Sequence, residues 1–255
     1  HFVIDMFKAL HLYIMPLEIL ILSDTHLDSF AAEELIRLIN DCPKLWKLNI
    51  SGTGLTSEQV ARIIHTLSDR KHPYGLTIWL DRLNLNGLAI INVVKGFLNG
   101  CLEKWHEIHF DSNSLKVGDL QLLTSLFFRM NNLEVLSFSD NFDDSNQGIE
   151  SELLDLLRIS SLKRLVIKGS KSKRLKNRVL PLLFGIAVSF ELRHQMKGHP
   201  AREENQRLQE ITEDAHEKIA DFIKSECEYD SPKDFTEIAK LFMGMFYPYL
   251  DRHAA

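Results

Sequence analysis

Five side chains near the middle of the chain are of the types that hydrolytic and metal chemistry use: His106, His109, Asp111, Ser137 and Asp140. A serine beside a histidine and an aspartate could serve as nucleophile, base and orienting acid. Two histidines with two aspartates could instead hold a divalent cation. Each reading competes with a plainer one, that these are surface contact residues. A hydrolytic triad also needs an oxyanion site and a buried carboxylate behind the base, and the spacing supplies neither. The chain contains no HExxH stretch, no CxxC pair and no glycine-rich phosphate loop. Cys227 lies between Glu226 and Glu228, which disfavours a thiolate nucleophile.

Two other groups have the make-up of contact surfaces. Trp46, Tyr74, Trp79 and Leu80 are large and mostly aromatic, with charges close by, as in protein-binding hot spots. The alternative for Trp46 and Tyr74 is that they cover a junction between structural units. The run Lys163, Arg164, Lys168, Lys171, Lys173, Arg174, Lys176 and Arg178 carries no acidic residue and could meet phosphate groups. It could equally pair with the acidic stretch Glu203, Glu204, Glu210, Glu213, Asp214, Glu217 and Asp221 or stay solvated.

What positions these residues is a phrase repeated along the chain. Leu17-x-x-Leu20-x-Leu22 is echoed by Leu45-x-x-Leu48-x-Ile50, Trp105-x-x-Ile108-x-Phe110, Leu133-x-x-Leu136-x-Phe138 and Leu162-x-x-Leu165-x-Ile167. Anchors at Leu20, Leu48, Leu76, Ile108, Leu136 and Leu165 are 28, 28, 32, 28 and 29 residues apart. The third copy is ambiguous: Leu76 with Ile78 and Leu83 preserves the step and is preferred over Leu80-x-x-Leu83-x-Leu85. Within each phrase apolar residues alternate, as in a short strand with one face inward. After each phrase the period becomes helical: Leu35, Leu38, Ile39; Val60, Ile63, Ile64, Leu67; Ile90, Ile91, Val94, Phe97; Leu120, Leu123, Leu126, Phe127; Ile149, Leu153, Leu156, Leu157. Thr56-Ser57-Glu58 is expected to cap the second of these helices.

The phrase L-x-x-L-x-L-x-x-N-x-L at this spacing resembles a leucine-rich repeat of the ribonuclease-inhibitor-like class. The resemblance covers residues 17–190. It implies an α/β solenoid with short parallel strands on a concave face and helices on the convex one. Residues 1–16 would be an N-terminal helix or the remnant of a preceding repeat, with Phe2, Met6, Ala9, Leu10 and Tyr13 at helical spacing. Residues 191–255 would form an all-α cap or extension, following a long helix over 181–196 that closes the repeats. The turn column Thr25, Thr53, Asp81, Asn113, Asn141 and Ser170 holds the repeat's asparagine only twice, so less regular turns are expected.

Aligned strands turn the sequence into a surface map. One residue after the anchors stand Ile21, Asn49, Thr77, His109, Ser137 and Val166; three after stand Ser23, Ser51, Trp79, Asp111, Ser139 and Lys168. The expected contact residues are therefore Trp46, Tyr74, Trp79, Leu80, His106, His109, Asp111, Asp140 and Lys168.

A net charge of −5 over 255 residues gives no global reason to expect nucleic acid or a membrane as partner. Three scattered cysteines argue against a disulfide framework and for a cytosolic setting. No cofactor or metal is expected. The resemblance implies a non-enzymatic module that binds, and inhibits or sequesters, another protein. Its relatives by resemblance also include GTPase activators like the Ran regulator, actin-regulator scaffolds and effectors delivered into host cytosol by intracellular bacteria. A monomer is expected, with self-association through the C-terminal helices as the alternative.

Overall fold

A computed structural model describes residues 2–12, 17–70, 75–143, 148–156, 159, 161–167 and 169. All lie in one compact unit, His1–Lys171. The expected helices over 181–255 fall outside the described residues.

The described chain is α/β, with six parallel strands in one sheet whose spatial order is their order in sequence. The strands are β1 Ile19–Ile21, β2 Lys47–Asn49, β3 Leu76–Trp79, β4 Trp105–His109, β5 Val135–Ser137 and β6 Arg164–Val166. Helix α1 (Phe2–Leu12) precedes them, and α2 (Ser29–Asp41), α3 (Ser57–Asp69), α4 (Leu88–Leu98), α5 (Val117–Phe127) and α6 (Ile149–Leu156) connect them. Each helix packs against the next. A parallel pair requires such a crossover, because a tight turn cannot return the chain to the same end of its neighbour.

The register follows the anchors with one correction. Leu20, Leu48, Ile78, Ile108, Leu136 and Leu165 are paired in sequence across the sheet. The third anchor is Ile78, not Leu76, and the alternative at Leu83 fails as well. The steps become 28, 30, 30, 28 and 29 residues. Leu76, Ile78 and Leu80 are all fully buried, so a slip of two residues keeps the same set of side chains inward. An irregularity between Leu76 and Thr77 takes up the difference against β4.

The core lies between the inward strand side chains and the helices. Phe97 meets Trp105 edge-on at 5.0 Å, and Phe110 stacks on Phe138 at 5.9 Å with Phe127 tilted against both. Burying a side chain of this size contributes about 1.5–3 kcal/mol. In α4, Val93 takes the buried place expected of Val94, while Ile91 is exposed. In α1 the fully buried residue is Phe7.

The turns are more regular than their composition. The residue four after each anchor has a positive φ throughout: Asp24 58°, Gly52 66°, Arg82 54°, Ser112 56°, Asp140 56° and Gly169 64°. In the later repeats a buried asparagine holds this path. Asn113 Oδ1 accepts from the amides of Leu83 (3.0 Å) and Leu85 (3.1 Å), while its Nδ2 donates to Leu80 O at 2.8 Å. Asn141 repeats the pattern one row on, accepting from Asn113 N and donating to Phe110 O. Each asparagine therefore completes the turn of the repeat before it. Leu83, not Asp81, occupies this column in the third repeat. Thr53 instead turns its hydroxyl to Ile50 O at 2.7 Å.

Helix ends are finished locally and by neighbours. Asp28 caps α2 by accepting from Ala31 N, and Thr56 and Gln59 form a reciprocal box at the start of α3. Asp119 accepts from both Gly87 N and Lys116 N, tying the starts of α4 and α5 together. At the opposite ends, Arg70 donates to the carbonyls of Ile39 in the last turn of α2 and of Cys42 and Leu45 beyond it. Burial brings the Arg70 guanidinium down to about 10. Lys104 donates in the same way to Ser68 O and Arg70 O after α3.

Candidate binding face of the sheet

Strand residues flanking each anchor form the second face of the sheet. Its first row reads Ile19, Lys47, Thr77, Glu107, Val135 and Arg164, and its next Ile21, Asn49, Trp79, His109, Ser137 and Val166. The corrected anchor moves Trp79 into the row expected to hold Thr77, and the backbone bonds Ile50 N to Trp79 O and Leu80 N to His109 O fix it there.

Trp79 is the centre of a stack. The His109 ring lies against it at 4.9 Å with 22° between planes, and the Lys47 ammonium sits 4.7 Å from its centroid. The same ammonium lies 5.8 Å from the Trp46 ring. An ammonium over an indole face is attracted by the ring's quadrupole. His109 Nε2 is 2.9 Å from Glu107 Oε1, which fixes the imidazole edge.

Two residues further along the strands the row reads Ser23, Ser51, Asp81, Asp111 and Ser139. Asp81 Oδ1 accepts from Asp111 N at 2.8 Å, and its Oδ2 accepts from Ser51 Oγ at 3.1 Å. Asp111 Oδ1 accepts from Ser137 Oγ at 2.6 Å and from Ser139 N at 2.7 Å. Burial pushes the Asp81 carboxyl above the ordinary aspartate range, and the neighbouring Asp111 charge adds to it.

The expected contact residues separate into four sets. Trp79, His109 and Asp111 are brought together on this face, with Trp46 joined to them through Lys47. His106 and Asp140 are not part of the group. The His106 ring lies where a Cβ on Gly75 would be, 2.2 Å from its nearest atom, about 10 Å along the strand from His109. Asp140 is an exposed turn residue whose carboxylate lies over Gly169. Leu80 is a correction: it is fully buried, because it holds the inward place of Leu22, Ile50 and Phe110. Tyr74 and Lys168 lie outside the described residues.

The triad connectivity does not form. Ser137 donates directly to Asp111, and His109 is held by Glu107. Among the described residues, no group of three or more histidine, cysteine, aspartate or glutamate side chains converges as a metal site would need. Lys163 of the basic run pairs with Glu134 at 2.8 Å. No helix of the described residues is long and apolar enough to cross a membrane.

Asp81, Lys47 and Glu107 are site residues that the sequence reading missed. The two-residue slip aligns Asp81 with Asn113 and Asn141 and so conceals its place in the row of Asp111. The usable signal is the leucine seven residues after the first four anchors, at Leu27, Leu55, Leu85 and Leu115, which places the third anchor at Ile78. Lys47 and Glu107 precede their anchors by one residue, the place that strand alternation turns outward.

No protein-family model matches this chain, and no curated protein matches it in sequence.

Proposed function

We propose that the chain is a leucine-rich-repeat solenoid of the ribonuclease-inhibitor-like class. In this reading it acts as a non-enzymatic module that inhibits or sequesters a protein partner through the sheet face. The sequential six-strand order and the uniform turn conformation support the repeat reading. The observation that carries the binding reading is the Lys47–Trp79–His109 stack, a large aromatic set among charges on the face away from the buried anchors. Such groups dominate binding energy where they become desolvated.

The test compares wild-type protein with Trp79→Ala in affinity capture from lysates, with thermal unfolding measured in parallel. A stoichiometric protein lost in the variant at unchanged melting temperature is the expected result. A partner retained by Trp79→Ala would move the contact elsewhere, and a variant that no longer folds would make Trp79 a structural residue. Asp111 needs a gentler change than alanine, because its carboxylate accepts from both Ser137 and Ser139. Asp111→Asn keeps that acceptor.

A further inference from the structure

Beside the aromatic stack, the fold maintains two adjacent negative charges that its own bonding does not require. Asp81 and Asp111 each accept the amide proton of the equivalent residue one strand on. An asparagine Oδ1 could accept the same bond, and in the flanking strands serine occupies this row at Ser51 and Ser139. The two aspartates nevertheless occupy equivalent places just past the ends of β3 and β4, joined by the Asp111 N to Asp81 Oδ1 bond.

The cations and titratable groups around them are committed elsewhere. Arg82, next in sequence to Asp81, feels that carboxylate through space but forks both of its hydrogen bonds from Nη2 onto Asp24, at 2.8 and 2.9 Å. Lys47 lies over Trp79. The Nε2 of His109 is bonded to Glu107. Among the described residues, neither Asp81 nor Asp111 is in an ion pair. Asp111 Oδ1 takes both of the bonds described for that side chain, which leaves Oδ2 available to an external donor.

We propose that this face receives an arginine side chain of a protein partner, its guanidinium seated on Asp81 and Asp111 and lying against the Trp79–His109 stack. The inference rests on the binding-module reading and names the chemistry of its partner. Charge complementarity selects a cation. The planar fork of donors suits two carboxylates at adjacent strand ends better than a point ammonium does. A guanidinium also packs against aromatic side chains, and the Trp79–His109 stack stands beside the two aspartates.

The experiment selects random displayed peptides on the full chain, then measures the strongest binder by calorimetry. Asp111→Asn, Trp79→Ala and a peptide with citrulline in place of arginine complete the set. Arginine-bearing peptides are expected to dominate. Asp111→Asn and the citrulline exchange should each weaken binding by about tenfold or more, and combining them should cost little further. Binders without arginine, or arginine peptides indifferent to both neutralising changes, would overturn the arginine seat. If those binders are still lost in Trp79→Ala, the binding-face reading survives and only the arginine assignment falls. Indifference to Trp79→Ala as well would sink both. Citrulline exchange uses unaltered protein, so the test does not depend on how Asp111→Asn folds.

Discussion

The turns after β1 and β2 and those after β3 and β4 follow one backbone path by different means. After β3 and β4, a buried amide from the next repeat fills the turn: Asn113 behind Leu80–Leu85 and Asn141 behind Phe110–Leu115. After β2, Thr53 bonds within its own repeat. There an exposed link runs over the top instead, with Arg82 reaching across Gly52 to Asp24. The backbone path is thus a property of the repeat geometry, while the means of holding it depends on what the neighbour supplies. Buried bonds must be made in full, because an unpaired buried group costs about 1–3 kcal/mol, whereas an exposed ion pair contributes about 0–1 kcal/mol.

This contrast ranks the expected effects of substitution. Asn113→Ala should be the most damaging, since it strips partners from Leu83 N, Leu85 N and Leu80 O together. A loss of about 3 kcal/mol or more in urea unfolding is expected. A loss below 1 kcal/mol would erase the distinction between the two kinds of turn. Gly52→Ala comes next, at about 1–2 kcal/mol, from the left-handed backbone. Its Cβ would also stand 2.3 Å from Asp24 Oδ1, so the carboxylate must swing away from Arg82. Removing the arginine first, as Arg82→Ala, should shrink the part of that cost due to the broken link, which a double-mutant cycle would read directly. Arg82→Ala alone should cost less than about 1 kcal/mol and lose its effect in high salt; a salt-independent loss would show that the arginine acts through packing.

The smallest expected effect concerns pH and Asp81. Its carboxyl titrates higher in the folded chain than the ordinary aspartate value of about 3.9. Between the two values the folded state holds more protons than the unfolded state, so this group's contribution to stability falls as pH rises through that window. Asp81→Asn should remove that slope and leave the protein at least as stable at neutral pH. An unchanged pH profile would show that Asp81 does not titrate in this way.

Most of the strand rows could be read from the chain because their inward residues recur on a nearly constant step. The third row slipped because Leu76, Ile78 and Leu80 alternate without a break; three equivalent inward residues cannot report a shift of two. A register two residues early turns Leu80 outward and aligns Asp81 with the turn asparagines in place of Asp111. The aromatic centre survived it, since Trp79 points outward in either register. Contacts such as Arg82 with Asp24 and Asp119 with Gly87 had no local signature. They join residues 58 and 32 positions apart, and only the stacking of repeats brings them together. The place of His106 over Gly75 likewise has no local signature, since the two are 31 residues apart in sequence.

The guanidinium of Arg70 has a consequence for how the protein is made. It closes carbonyls at the end of α2, and Lys104 closes those at the end of α3, each group arriving some thirty residues behind the end that it completes. During synthesis, a freshly emerged helix therefore remains unfinished until the following stretch leaves the ribosome. The growing chain should consolidate with a lag of one unit, its newest segment always the loosest.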